Sequence, residues 1–318
     1  MKRSSSNIST CKRKLNPSAD RILSYFDDRR EVFQSALKAA KSYLAVEGIH
    51  DLRLEIKRFR VFYKLIDYAA PLFALKPNLT VFNELFRAAG ALRDIDIYQA
   101  ITLPWLRTND LSEYFNYLKQ EELRLRIIFS EVVSRFSTTA VSNSRRQIIS
   151  ALAIVGEENQ RIRISKKILK FASKLTALME RSKPSNSDLH AIRKLAKSLR
   201  YSLDIWQFCF GKNALAKDVS NQLQKTYRSL GDWHDFLLNH DSVDSFLAGE
   251  AQGGLSDSTA YAKFQKDLRQ HAINCLLIYE RSKKPLHKSL KKLKPDLPGR
   301  RFSSRNGTDG TAQSKSFR

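Results

Sequence analysis

His50, Arg53, Lys57, Arg60 and Lys64 follow one another at steps of three, four, three and four residues. At about 100° per residue of an α-helix, these five side chains fall within about 80° of the circumference. That spacing ordinarily carries the apolar seam of a coiled coil. Here it carries one imidazole and four cations. Guanidinium and ammonium groups spaced one helical turn apart can donate charge-assisted hydrogen bonds to successive oxygens of a dense polyanion. Histidines inside such a site are drawn toward their protonated form, adding charge. His190, Arg193, Lys197 and Arg200 repeat the pattern in the same phase.

On a helical wheel each basic stripe borders the apolar face instead of lying opposite it. Leu52, Ile56, Phe59, Tyr63 and Ile66 form that face in the first copy, and Ile192, Leu195, Ala196, Leu199, Leu203 and Trp206 in the second. Cations on the shoulder of a core helix are partly desolvated, so they need an anion or a carboxylate nearby. A single basic stripe reads most plainly as a solvated face. A duplicate in phase argues against that. Asp94 and Asp235 are the carboxylates expected to support the arginines, too few to neutralise them all.

Other chemistries find less support. His50, His190 and His234 meeting across a repeat axis would offer a metal three imidazoles. However, no histidine is read as having a second zinc-type ligand three or four residues on, and the cations repel a metal. No metal and no cofactor are expected. GxSxG, Walker, HExxH and GxGxxG motifs are all missing, so no catalytic residue is assigned. Asp94 and Asp96 could hold Mg²⁺, but only Asp94 has a counterpart in the second half. Base recognition wants exposed aromatics among the cations. Tyr63, Tyr201 and Trp233 are at hand, with Tyr63 on the core side.

The elements that must position these residues are helices. Only five glycines lie between residues 21 and 248, and strand-like alternation is scarce. Helices are expected at about 20–44, 49–70, 79–100 and 110–136, with Gly48 breaking the first from the second. Pro71 and Pro77 punctuate the turn that follows, and Pro104 marks the end of the third helix. Asp110 is a candidate cap. The polar stretch 137–144 and a short helix, 144–155, connect to a second set at about 157–181, 189–210, 214–238 and 259–281. Ser187 or Asp188 is the expected cap of the second stripe helix, and Gly211 its end. The segment AGEAQGGLSDS reads as a flexible loop.

Two separate motifs give nearly one offset. His50 aligns with His190 at 140 residues, and Gly90 with Gly231 at 141. Around the glycines, Arg87-x-x-Gly90-x-x-Arg93-Asp94 matches Arg228-x-x-Gly231-x-x-His234-Asp235. The expectation is an all-α fold of two tandem four-helix bundles related by a pseudo-twofold axis. The helical domain spans 20–285, with repeats at about 20–140 and 157–285. Residues 1–19 and 286–318 are expected to be disordered basic tails.

The chain of 318 residues carries a net charge of +24, and 42% hydrophobic residues allow a real core. The ends hold +4 in residues 1–20 and +10 in 281–318, so the folded part is itself basic. A polyanion is the natural partner class. Three scattered cysteines fit a reducing cytoplasm, and no apolar run suits a membrane span.

These motifs resemble the CHAD family, the conserved histidine α-helical domain. Its pattern looks like HxxRxxxKxxR on one helix and LGxxHD or LGxxRD on another, each present twice. The matches are His50-Arg53-Lys57-Arg60, Ala89 to Asp94, His190-Arg193-Lys197-Arg200 and Leu230 to Asp235, over about residues 20–285. Ala89 in place of leucine, and Arg93 opposite His234, make the halves unequal. The resemblance implies non-catalytic binding of inorganic polyphosphate in a basic groove between the halves, and association with polyphosphate granules. The track expected to bind it is His50, Arg53, Lys57, Arg60, Lys64, Arg93, His190, Arg193, Lys197, Arg200 and His234, with Arg87 and Arg228 as outer members. A nucleic-acid-binding protein, aided by the basic tails, and an enzyme on phosphoanhydrides stay open as alternatives.

Overall fold

The computed structural model describes residues 15–43, 46–107, 111–250 and 258–296, and among them every regular element is helical. α1 (Pro17–Tyr43) starts where Asn16 Oδ1 accepts the Ala19 N–H at 2.9 Å. Pro17 takes the first helical position, where its missing N–H costs nothing. α2 (Val46–Ala69) carries the first stripe. α3 (Leu75–Thr80), α4 (Asn83–Thr102), a 3-10 turn (Leu103–Arg107) and α5 (Ser112–Arg135) complete the first repeat. α6 (Thr139–Leu152) leads into α7 (Glu157–Met179), α8 (Asn186–Phe210) with the second stripe, α9 (Ala214–Glu250) and α10 (Ser258–Asp296).

Several boundaries differ from expectation for local reasons. Gly48 does not break a helix; it sits in the first turn of α2. A Cβ there would stand 3.2 Å from the Ala40 backbone nitrogen, so the glycine permits close approach of α1. The expected third helix is split, with Pro77 inside the first turn of α3, a tolerated place. Phe82, at the break before α4, is buried against Phe33, Phe59 and Phe136. α6 begins at Thr139, five residues early, because Ser144 turns its hydroxyl to Asn78 and the Ala140 carbonyl. The cap of α8 is Ser185, and Asp188 returns the bond as the third residue of a capping box. Gly211 ends α8 at φ 108°, in the region that favours glycine. Asp110 and residues 251–257 of the expected loop lie outside the described residues.

The last two helices are longer than their periodicity suggested. α9 runs to Glu250 because Val243 and Phe246 join Tyr114, Tyr261 and Phe264 in a smaller second core. α10 continues through Pro285, and Leu286, Leu290 and Leu293 are buried in the main core. Their burial offsets the backbone bond that proline cannot make. Residues 17–19 and 286–296, expected in tails, are therefore helical.

The repeats are joined through their first two helices. α1 packs on α2 and on α8; α7 packs on α8 and on α2; α2 packs on α8. This reciprocal pattern is that of a twofold. One continuous core runs through α1, α2, α7 and α8. Cys209 and Cys275 are buried free thiols. No helix among the described residues is long and apolar enough to cross a membrane.

Candidate functional site

Packing α2 on α8 brings the centres of both stripes to one region between the repeats. Arg53 and Lys57 on α2 feel the charges of Arg193 and Lys197 on α8 directly. All four are half-buried. Asp94 from α4 and Asp235 from α9 lie among them. Four cations thus meet these two carboxylates, with Asp232 acting on Lys197 more weakly than Asp235 does. The approach is loose: Arg193 Nη2 is 3.9 Å from Asp235 Oδ1, and Arg53, Lys57, Arg60, Lys64, Lys197 and Arg200 make no ion pair within 4.0 Å among the described residues. Elsewhere on the same helix the contrast is plain, since Arg58 pairs with buried Glu55, which also takes Arg29 at 3.4 Å.

The cations are held instead by aromatic rings and neutral oxygens. Phe86 of α4 lies under Arg53, Lys57 and Arg60, at 4.9, 5.9 and 4.2 Å from ring centre to charge. Tyr227 of α9 does the same for Lys197 and Arg200, at 5.4 and 5.7 Å. Arg53 donates to the Phe86 carbonyl at 3.4 Å, Arg60 to Asn83 Oδ1 at 2.9 Å and Arg200 to the Tyr227 hydroxyl at 2.9 Å. Nε of Arg193 and Nε of Arg200 are buried with no acceptor. An unmet buried donor costs about 1–3 kcal/mol, more when charged, so these groups favour an incoming anion.

Burial, followed by repulsion from Lys197, Arg53 and Arg193, pulls Lys57 down to about 7. Burial and Arg193 pull Lys197 down to about 8. Asp94 and Asp235 move upward, because burial outweighs the attraction of the cations. Each stripe begins with an imidazole in a charged setting. His190 and His234 have ring centres 5.0 Å apart, and burial with Arg193 and His190 brings His234 down to about 4. In the first repeat the pKa of His50 is also lowered, first by burial and then by Arg93. Among the described residues no ring contact joins His50 to His190, whose ring neighbour is His234 of its own repeat. Lys64 is exposed at the far end.

Arg87 lines a cleft of about 550 Å³ with Arg53, Arg60, Gly90 and Asp94. Arg228 does not mirror it. It lines a separate groove between α9 and α10 with Lys225 and Arg281. Tyr63, Tyr201 and Trp233 are all core residues, the latter two being only 6% and 3% exposed. Phe86 and Tyr227 are the working aromatics. Each immediately precedes the arginine of its Arg-x-x-Gly motif, a signal present in the sequence but not singled out.

The two glycines do unequal work. A Cβ at Gly90 would collide with the Arg53 guanidinium, whereas at Gly231 it would stand 3.7 Å from Arg193 Nε, an ordinary contact. Gly90→Ala is therefore expected to displace Arg53 and weaken anion binding about tenfold, roughly one charge-assisted bond. Gly231→Ala should leave binding unchanged, and helix propensity alone favours both substitutions by about 0.5–1 kcal/mol. Titration of both variants with polyphosphate, beside thermal melts, reads the difference.

A histidine does carry a potential ligand four residues on, contrary to the sequence reading. His240, Asp241 and Asp244 gather their ligand atoms within 4.8 Å. The imidazole is already engaged on both sides: Nε2 accepts from Arg269 Nε at 2.8 Å, and Nδ1 faces Asp244 Oδ2 at 3.1 Å. The group ties α9 to α10.

The fold and site define an internally duplicated helical protein with facing basic stripes. The CHAD domain family model matches residues 24–244, and the chain belongs to that family. Its membership supports a polyphosphate-related role. The structure resembles the crystal structure of the CHAD domain from the plant Ricinus communis at a TM-score of 0.67 and 18% identity, over 86% of this chain and 91% of that one. It also resembles PptA from Streptomyces chartreusis at 0.56 and 12%, over 84% and 99%. At such identities the likeness is one of fold. No curated protein matches the chain in sequence.

Proposed function

We propose that the protein binds inorganic polyphosphate without turning it over, along a track formed by His50, Arg53, Lys57, Arg60, Lys64 and Arg93 of one repeat and His190, Arg193, Lys197, Arg200 and His234 of the other. Arg87 borders the track. The observation that carries this reading is the half-buried meeting of Arg53, Lys57, Arg193 and Lys197 with too little carboxylate and with unmet guanidinium donors. A chain of phosphates supplies acceptors at every turn of both helices. The aromatic rings support an anion without bases, because Phe86 and Tyr227 are already engaged by cations instead of standing open for a base to stack on. On this reading the protein works in the cytoplasm, where polyphosphate granules would concentrate its ligand.

Competition at fixed salt tests the reading. Long-chain polyphosphate, single-stranded RNA and duplex DNA are titrated against the full chain and against a chain ending at Asp296, which leaves α10 whole. Preference for polyphosphate that survives truncation is the expected result. Equal affinity for all three that vanishes with residues 297–318 makes the protein a nonspecific polyanion or nucleic-acid binder. Release of orthophosphate makes it an enzyme.

A further inference from the structure

α7 carries a third basic row. Arg163, Lys167, Lys170 and Lys174 follow at steps of four, three and four, within about 60° of the helix circumference. The row is placed against the far end of the first stripe. Arg163 donates to the Ala69 carbonyl at 3.2 Å, pinning α7 to the end of α2. Lys167 lies 5.0 Å from the ring centre of Tyr68 on α2 and 5.3 Å from that of Phe171. Besides burial, the charges acting on Lys167 are Lys170, Lys174 and Lys64, with Asp67 opposing them. Lys170 and Lys174 are exposed. Between the central cluster and this row, Arg60, Lys64 and Lys76 line a cleft of about 460 Å³ that shares Arg60 and Asn83 with the cleft beside Arg53. Cations thus lead from the middle of the molecule toward the surface of α7, with Asp67 beside them.

The other end of the molecule is built differently. Shifted by 140 residues, Lys64 becomes Asp204, which accepts from Ser220. Tyr68 becomes Phe208, and the four residues of the α7 row become Leu23, Asp27, Arg30 and Gln34 of α1. Asp27 there is already bound to Arg145, at 2.9 Å. Lys212 and Lys217 stand nearby, but they share their cleft with the Asp204 carboxylate.

We infer that a long polyphosphate chain leaves the central site in one direction only, along Lys64 and Lys76 onto Lys167, Lys170 and Lys174 of α7. This rests on the reading of the central site as a polyphosphate track. It makes affinity depend on chain length through residues that a short phosphate never reaches.

The test compares tripolyphosphate with a chain of about a hundred phosphates by calorimetry over a salt series. In the variant Lys167→Ala/Lys170→Ala/Lys174→Ala, long-chain affinity is expected to fall about tenfold or more, with a salt slope shallower by about two, since each lost contact releases fewer counterions. Tripolyphosphate affinity should not move. Lys170→Ala/Lys174→Ala, which touches only exposed side chains, should show the same direction in smaller measure and guards against a packing defect at Tyr68. Lys212→Ala/Lys217→Ala should leave the long-to-short ratio as in the wild type. Unchanged long-chain binding in the triple variant, or equal loss of both ligands in the double variant, overturns the inference. Wild-type protein that takes up neither ligand overturns the central-site reading itself, a separate result.

Discussion

Replacing Arg53 and Arg193 together by alanine lowers polyphosphate affinity by at least about a hundredfold and leaves the protein folded. Each guanidinium offers charge-assisted hydrogen bonds of about 1.5–3 kcal/mol, so the pair accounts for about 3–6 kcal/mol. Neither residue holds the fold together. Arg53 has one long bond to a carbonyl, and Arg193 a carboxylate at 3.9 Å. Their removal relieves repulsion on Lys57, which both of them crowd. The melting temperature of the ligand-free double variant should therefore equal or exceed that of the wild type. Calorimetric titration and a thermal melt on the same sample check both statements. Wild-type affinity in the double variant would remove the central site; a collapsed melt would make the arginines structural.

The second large effect is with pH, and it has opposite signs for binding and for stability. A bound polyanion favours the protonated forms of Lys57, Lys197 and His234, whose free-state values lie near 7, 8 and 4. Affinity should therefore fall as pH rises through and above 7, by up to about tenfold per pH unit for each lysine once it is deprotonated in the free protein. Between pH 6 and 9 this amounts to roughly a hundred- to a thousandfold. The ligand-free protein behaves the other way. In the unfolded chain both lysines return to their ordinary, higher values, so that state binds more protons above pH 7. Stability consequently rises with pH from about 7 toward the ordinary lysine range. The His234 contribution follows the same sign between about pH 4 and its ordinary value near 6.5. Dissociation constants and melts over one buffer series should cross in this manner. A flat binding profile would mean that Lys57 and Lys197 stay charged in the free protein.

The stripe spacing made much of this arrangement readable beforehand. His50 to Lys64 and His190 to Arg200 specify helix, phase and charge in the same residues, and the shared offset implied the duplication. Gly90 and Gly231 marked the repeat but gave no sign of what packs against them. Only the packing of α4 on α2 shows that Arg53 fills the space above Gly90. Phe86 and Tyr227 escaped notice because an aromatic beside an arginine reads as core until its ring is seen beneath a cation. The α7 row has the same spacing as the stripes, yet it lacks a duplicate, which is the signal that singled the stripes out. The ends of α9 and α10 were missed because their apolar residues serve contacts with partners distant in sequence, such as Tyr114 with Phe246. Ser185 was passed over as a cap because Ser187 and Asp188 compete for the role within three residues.

The opening helix of each repeat leans on both halves, and this has a consequence for how the halves depend on each other. Because α1 leans on α8 and α7 on α2, neither half owns a complete interior. A single copy standing alone would leave apolar surface of its first two helices uncovered. Joined through α6, the two copies need not stay alike, and a carboxylate at 204 where the other copy has a lysine at 64 shows how far they differ.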